Sequence, residues 1–321
     1  MNILIVKLSS LGDVVHAMPA VQDLLAALPQ ARVDWVVERG FAPLAARCAG
    51  VRRVIPCELR KWRKAPLARA TRAEWRAFRA DLKRERYDAV IDLQGLTKSA
   101  LVARMAPLAA GGKRYAMANR TEGSSYEAPT RWVADVAVPV PAQSHAVQRS
   151  RELCARALGY AVQGPPRFGL GAAGAAREDT VVFVHGTSRD DKCWPEANWV
   201  ALGRRLLAQG HGIALPHGSE AERERSQRIA QALGPRAESW PRLSLDALTE
   251  RMGRCSGVIG VDSGLSHIAV ALGLPHVQVY NFDTAWRTGP LGDPRQRSVF
   301  ASPAPEVDAV WQAWQQVAAA P

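Results

Sequence analysis

Short runs of aliphatic and β-branched residues alternate in this chain with longer segments whose apolar residues recur at helical spacing. The runs predict strands at residues 2–7, 33–37, 51–56 and 89–92, then at 180–184, 212–215, 258–261 and, as the last strand, 277–280. Helical patterns fill the intervals, and in the first, at 14–28, we expect Pro19 to mark the start of the regular helix. Such alternation predicts an α/β fold with doubly wound parallel sheets.

A stretch rich in Gly, Pro and Ala at about 160–177 interrupts the alternation, which then restarts. With 321 residues the chain is long for one core. We therefore predict two Rossmann-like domains that face an interdomain cleft, where ligands bind in such folds. The predicted parts are a first domain at 1–160, a linker at 161–178, a second domain at 179–304 and a helix at 305–321, a candidate to pack back on the first domain.

Several classes of protein are disfavoured. The chain opens without the basic region and long apolar core of a signal peptide, and no apolar run approaches the roughly 20 residues that span a bilayer, so we predict a cytoplasmic protein. The five cysteines are scattered, and no group of His, Asp or Glu has metal-ligand spacing. The first strand is not followed by Gly-x-Gly-x-x-Gly, and neither a P-loop nor a Gly-x-Ser-x-Gly elbow is found at the polar turns.

The formal net charge of +12 is concentrated in one segment. Residues 60–86 hold eleven Lys or Arg against three acidic residues, interleaved with Trp62, Trp75 and Phe78. One interpretation is a surface that meets anionic groups at a membrane, with the aromatic rings dipping into the interface. The other is a solvated helix face with ordinary core aromatics. A second basic stretch, at 111–125, carries glycines without periodicity and predicts a loop.

Four polar turns follow predicted strands, at 9–13, 185–195, 217–222 and 262–267. In open α/β sheets ligands bind at this carboxyl edge of the strands. The turn at 262–267 opens a helix, so it is either a phosphate site or an ordinary helix cap. Asp13 is either a cap or a general base. Thr187, Ser188 and Lys192 suit phosphate or sugar oxygens, unless their turn is merely solvated.

An ordered set of motifs along essentially the whole chain resembles the lipopolysaccharide heptosyltransferases of the ADP-heptose type. The motifs are Lys-Leu-Ser-Ser-Leu-Gly-Asp-Val-Val-His at 7–16, Asp-Trp-Val-Val-Glu at 34–38, Arg-Lys-Trp-Arg-Lys at 60–64, Tyr-Asp-Ala-Val-Ile-Asp-Leu-Gln-Gly-Leu at 87–96, Thr-Ser-Arg-Asp-Asp-Lys-Cys-Trp-Pro at 187–195 and Val-Asp-Ser-Gly-Leu-Ser-His at 261–267. The turn at 281–284 departs from the family's pattern, so we assign no site residue there.

The resemblance implies an inverting glycosyltransferase of GT-B architecture, with the acceptor in the first domain and the nucleotide sugar in the second. It implies transfer of L-glycero-D-manno-heptose from ADP-heptose to the first Kdo of Kdo2-lipid A, without an obligatory metal or cofactor. The alternatives are the next heptosyl transfer, another nucleotide-sugar enzyme, or a basic module that binds membranes or nucleic acid. We expect no nucleic-acid partner, a monomer, and peripheral association with the cytoplasmic leaflet of the inner membrane.

The same resemblance assigns roles to individual residues. Asp13 would be the general base, and Lys192 would offset the charge of the leaving ADP. Residues implied to bind the donor are Thr187, Ser188, Lys192, Glu222, Leu243, Asp262, Ser263, Gly264 and His267. Residues implied to bind the acceptor are Ser10, Gly12, Arg60, Lys61, Arg63, Lys64 and Arg120.

Overall fold

The computed structural model describes residues 1–171 and 178–320. The chain divides into two compact units, Met1–Leu170 and Gly171–Pro321. The division lies inside the predicted linker at 161–178, of which residues 172–177 are outside the described part. Each unit holds a six-stranded sheet whose paired strands are all parallel. The predicted α/β fold class with two Rossmann-like units is confirmed.

The first unit carries its six strands in the sheet order β3-β2-β1-β4-β5-β6. The strands are β1 (Asn2–Val6), β2 (Arg32–Glu38), β3 (Val51–Cys57), β4 (Tyr87–Asp92), β5 (Leu108–Met117) and β6 (Val136–Val138). The helices are α1 (Leu11–Ala27), α2 (Ala42–Ala46), α3 (Leu59–Lys64), α4 (Arg69–Leu82), α5 (Thr97–Met105), α6 (Pro129–Val133) and α7 (Ala146–Leu158).

The second unit repeats the plan in the sheet order β12-β11-β10-β7-β8-β9. Its strands are β7 (Glu178–Val184), β8 (Gly212–Leu215), β9 (Ala237–Ser239), β10 (Cys255–Val261), β11 (His276–Tyr280) and β12 (Gln296–Phe300). Its helices are α8 (Glu196–Ala208), α9 (Glu220–Leu233), α10 (Leu245–Gly253), α11 (Gly264–Ala271), α12 (Ala285–Thr288) and α13 (Val307–Ala319). Helix α13 packs on β11, β12 and α8 of its own unit, and any packing on the first domain stays a prediction.

The central strands are mostly apolar because helices cover both faces of each sheet. In β1 the side chains of Ile3, Leu4, Ile5 and Val6 are all fully buried. One face of the first sheet is covered by α3, α4 and α5, whose residues share a core cluster with β1 and β4. None of the helices in the described residues is both long and apolar enough to cross a membrane.

Three details of the predicted elements are wrong. Helix α1 begins at Leu11 and contains Pro19, because the Ser10–Asp13 turn caps the helix one turn earlier than the apolar pattern suggested. A further strand, β12, follows 277–280. Residues 111–117 belong to β5 and are not a loop. There Gly111 has a φ of +76°, and a Cβ on Gly112 would lie 2.5 Å from the Tyr87 carbonyl oxygen, so the glycines permit an irregular pairing with β4.

Candidate functional site

In the first unit, Asp13 lies in the first turn of α1, directly beyond the carboxyl end of β1. Its Oδ2 atom accepts hydrogen bonds from the Ser10 backbone N–H and the Ser10 hydroxyl, both at 2.9 Å. Its Oδ1 atom lies 3.4 Å from Lys7 Nζ. Lys7 is 3% exposed and also donates a hydrogen bond to the Leu93 carbonyl oxygen at 3.0 Å. The structure thus holds a carboxylate at the sheet edge against a buried cation.

The charge state of Asp13 follows from these partners. Burial by itself raises the pKa of Asp13, but attraction to Lys7, hydrogen bonds from Ser10 and the charge of His16 outweigh it, so the pKa lies well below its usual range. Burial also lowers the pKa of Lys7, against the opposing pull of Asp13. Sequence reasoning missed Lys7. The available signal was a lysine placed directly after the apolar residues of a buried strand.

Replacing Lys7 with Met should move the acidic limb of the pH–activity profile upward. In this variant the Ser10 hydrogen bonds and the charge of His16 remain, but the largest attraction that opposes burial is lost. The pKa of Asp13 therefore rises, and the carboxyl is protonated at pH values where the wild type is ionised. We expect the pH at which kcat falls to half its maximum on the acidic side to rise by at least about one unit. The matched control is Lys113→Met, an exposed lysine of the same unit. An unshifted acidic limb in Lys7→Met would show that Lys7 does not set the charge of Asp13.

The turn that carries Asp13 is fixed from the neighbouring strand β4. Gln94 Oε1 accepts from the backbone N–H groups of Leu8 and Ser9, both at 3.1 Å. Asp92 Oδ1 in turn accepts from the Gln94 N–H at 2.8 Å, and burial raises the pKa of Asp92 to about 6. Lys98 Nζ donates to Ser9 Oγ at 3.3 Å. The polar turn after β4 therefore positions the turn after β1.

The residues implied to bind the acceptor gather at the same edge of the sheet. Gly12 and Ser10 lie in the Asp13 turn, the basic helix α3 follows β3, and Arg120 follows β5. Parallel strands are about 4.8 Å apart, so these positions fall within two strands of β1 on either side. Lys61 Nζ forms an ion pair with Glu74 at 2.8 Å. The Arg60, Arg63 and Lys64 side chains are exposed.

Of the two interpretations of the aromatics in this segment, insertion into a membrane interface is wrong for Trp62 and Phe78, and the interpretation as ordinary core aromatics is confirmed for them. Trp62 is 5% exposed and Phe78 is 4% exposed, and both belong to the core cluster of the first unit. The Trp62 ring contacts Trp75 edge to face, with centroids 5.4 Å apart. Periodicity placed these rings correctly on one face, and that face is buried against the sheet.

In the second unit, Asp262 is the central residue of a polar cluster beyond β10. Lys192 Nζ lies 2.6 Å from Asp262 Oδ2, and His267 Nε2 lies 3.5 Å from Oδ1. Thr187 Oγ1 donates to the Asp262 carbonyl oxygen at 2.9 Å. Burial by itself raises the pKa of Asp262, but His267 and Lys192 outweigh it and hold the pKa well below its usual range. The turns after β7 and β10 are thereby joined through one ionised carboxylate.

Helix α11 begins beside this cluster with Ser263 as its N-terminal cap and Gly264 as its first residue. Ser263 Oγ is buried and has no hydrogen-bond partner among the described residues. A helix start of this kind offers backbone N–H groups and a positive dipole end to an anion. The local geometry therefore suits a phosphate, as the first of the two sequence interpretations predicts.

Close packing of α11 on β10 depends on Gly260. A Cβ at this position would lie 2.4 Å from Ser266 Oγ and 2.8 Å from Val184 Cβ. We expect Gly260→Ala to lower the free energy of unfolding by about 1–3 kcal/mol because the core would be overpacked. Gly40→Ala, where a Cβ meets nothing within 4 Å, is the control and should change it little. Equal denaturant midpoints for the two variants would refute the packing argument.

The remaining residues implied to bind the donor lie at the same carboxyl edge. Glu222 Oε2 accepts from the Gly218 N–H at 2.6 Å, and its Oε1 lies so close to Gly186 that a Cβ there would be 2.4 Å away. Ser188 is exposed, and Leu243 is half-buried against the core cluster that includes Trp240. Because β8, β7, β10 and β11 are neighbours in the sheet, their turns form one continuous rim.

The turn after β11, to which the sequence assigned no role, is part of this rim. Lys192, Asp262, Asn281, Phe282 and Thr284 are among the residues that line one depression. Asn281 Nδ2 donates to the carbonyl oxygens of Asp191 and Cys193 and so holds the lysine-bearing turn. Thr288 Oγ1 reaches Asp262 Oδ1 at 3.4 Å.

Within the part of the chain that the structure describes, no group of three or more His, Cys, Asp or Glu side chains is arranged to hold a metal ion. The basic groups beside Asp262 are protein side chains, Lys192 and His267.

Comparison with known proteins shows a matching protein family, a similar sequence and two similar solved structures. The profile of glycosyltransferase family 9 (heptosyltransferase) matches residues 75–309. Lipopolysaccharide heptosyltransferase 1 of Escherichia coli K12 is 41% identical over 287 residues, 87% of this chain and 88% of that protein. The structure of E. coli heptosyltransferase WaaC with ADP superposes with a TM-score of 0.89 at 36% identity, covering 99% of this chain and 100% of the other. The WaaC structure with ADP-2-deoxy-2-fluoro heptose gives a TM-score of 0.84 at 37% identity, covering 97% of this chain and 98% of the other.

Proposed function

Because the chain belongs to glycosyltransferase family 9, the heptosyltransferases, we propose that it catalyses the first heptosyl transfer of the lipopolysaccharide inner core. It is a glycosyltransferase of GT-B fold, and its donor is ADP-heptose. The acceptor is the first Kdo of Kdo2-lipid A, and the transferred sugar is L-glycero-D-manno-heptose. The first unit binds the acceptor, and the second binds the donor.

The donor assignment is supported by the polar rim of the second unit. The diphosphate sits at the start of α11, where Ser263 and Gly264 provide donors, and Lys192 neutralises charge on it. Glu222 binds the ribose hydroxyls, and Leu243 packs near the adenine. Asp262, held ionised between Lys192 and His267, accepts hydrogen bonds from the heptose hydroxyls.

The chemical step is a single displacement at C1 of the heptose. The Kdo hydroxyl oxygen forms the new bond to C1 while the bond from C1 to the diphosphate oxygen breaks. Asp13 takes the hydroxyl proton, which becomes more acidic as its oxygen bonds to C1. The electron pair of the broken bond leaves with ADP, and Lys192 offsets the added negative charge.

Association with the membrane follows from the acceptor. Kdo2-lipid A carries carboxylates and phosphates at the cytoplasmic leaflet of the inner membrane, and Arg60, Lys61, Arg63, Lys64 and Arg120 bind such anions. All four cations at 60–64 are exposed and one of them, Lys61, pairs with Glu74, so the segment presents net positive charge. The enzyme is therefore a peripheral membrane protein.

The observation that carries this proposal is the Lys192–Asp262–His267 cluster at the start of α11, in a chain whose other unit presents Asp13 at its own sheet edge. The test is a transfer assay in which purified protein, ADP-heptose and Kdo2-lipid A are followed by ADP release and product mass. We expect one heptose per acceptor, and no transfer to an acceptor that already carries the first heptose. Transfer to the heptosylated acceptor alone would instead identify the second step.

A further inference from the structure

Three apolar side chains of the first unit are more exposed than any other large apolar side chain in the described residues. Leu67 is 82% exposed, Trp132 is 72% exposed and Leu101 is 56% exposed. Leu67 lies between α3 and α4, Leu101 on α5 and Trp132 on α6. Scattered exposed apolar residues are ordinary, so their meaning depends on whether they share a surface.

The three side chains lie on or beside neighbouring helices. Residues of α3, α4 and α5 belong to one core cluster and cover the same face of the sheet. Helix α6 packs against α5. We take the outer surfaces of these helices as one lateral surface, the α3–α6 face, defined by Leu67, Leu101 and Trp132 with the basic residues around them.

The exposed charged residues nearest in sequence to the three apolar side chains are basic. Leu67 lies between Lys64 and Arg69, both exposed. Arg104 follows Leu101 by three residues on α5, and Arg131 directly precedes Trp132; both are exposed. Exposed Trp and Leu flanked by Lys and Arg suit the boundary between acyl chains and anionic headgroups, where the rings are partly buried and the cations meet phosphates.

We propose that the α3–α6 face lies on an anionic phospholipid bilayer, with Leu67, Leu101 and Trp132 inserted at the headgroup level. This inference rests on the proposed function, since it names the surface by which the enzyme meets the membrane that holds its acceptor. This position of the bilayer agrees with the position of the Asp13 turn at the carboxyl edge of the sheet. Helix α5 begins beside that turn, where Lys98 Nζ contacts Ser9 Oγ at 3.3 Å. A bilayer along α5 presents its headgroup layer near that edge.

The test compares wild type with Leu67→Ser/Leu101→Ser/Trp132→Ser by co-sedimentation with vesicles of phosphatidylethanolamine and phosphatidylglycerol. We expect the wild type to bind in a salt-sensitive way and the triple variant to bind at least about tenfold less. Phe300→Ser removes an exposed aromatic of the second unit and should bind vesicles like wild type. Transfer to a de-acylated, water-soluble acceptor should be unchanged in all three proteins, which also shows that the variants are folded.

Two results would overturn the proposal. One is equal vesicle binding by wild type and the triple variant. The other is a wild-type dimer in gel filtration that the triple variant converts to monomer, because the face would then meet a second copy of the chain. Absence of transfer to the soluble acceptor by the wild type would count against the proposed function instead, so the two failures are distinguishable.

Discussion

Asp13→Asn should reduce heptose transfer by about a thousandfold or more while leaving the affinity for ADP-heptose within about twofold of wild type. Asparagine keeps the shape of the side chain and an oxygen that can accept from Ser10, so the turn keeps its geometry. What is lost is the proton acceptor, and the donor residues lie in the other unit. The measurements are initial rates of ADP release and calorimetric titration with ADP-heptose.

Ser10→Ala is the matched control for this variant. It removes the hydroxyl that donates to Asp13 Oδ2 but keeps the backbone N–H bond and the ion pair with Lys7. We expect a loss of at most about a hundredfold, since one hydrogen bond to a charged carboxylate contributes roughly 1.5–3 kcal/mol. If Asp13→Asn retains more than a tenth of the wild-type rate, Asp13 is not the base.

Lys192→Met should lower kcat/KM by about a hundred- to a thousandfold and also weaken the binding of ADP. The lysine is the cation nearest Asp262, at 2.6 Å. Without it, the leaving diphosphate loses a compensating charge and meets an ionised carboxylate that repels it. Both effects act on the donor side, so the affinity for the acceptor should be unchanged.

Lys192→Arg restores the charge and is the control. Because guanidinium is larger and planar, we expect partial recovery, with activity at least about tenfold above that of Lys192→Met. Steady-state kinetics with both substrates and titration with ADP separate the donor effects from the acceptor effects. A Lys192→Met enzyme within threefold of wild type would remove this residue from the mechanism.

The sequence predicts best those elements whose apolar pattern is complete. Strands such as β1 and β10 are apolar at all but one position and are nearly fully buried, so composition alone identifies them. Strand β12 was missed because only Gln296 is buried and Val299 half-buried, while the other three residues of this edge strand are exposed. Strand β5 was missed because its glycines allow an irregular pairing that breaks the alternation.

In the candidate site, too, the sequence predicts some features and misses others. Polar turns after strands are visible in the sequence, and the motif resemblance supplied roles for Asp13, Lys192 and Asp262. Contacts between turns that are distant in the chain are not visible, so the roles of Lys7 beneath Asp13 and of Asn281 beside Lys192 required the structure. For the aromatics near residue 62 the sequence left two environments open, because periodicity groups them on one apolar face without telling whether that face meets the core or a membrane.

The central claim is that Asp13 activates the acceptor for a single displacement at the heptose C1. The most direct measurement is the anomeric configuration of the transferred heptose, determined by NMR on the product formed from ADP-heptose and de-acylated Kdo2-lipid A. A single displacement predicts one heptose on the first Kdo with a configuration opposite to that in the donor. A heptose that retains the donor's configuration would contradict the account, because it requires a second displacement and a nucleophile that this mechanism does not contain.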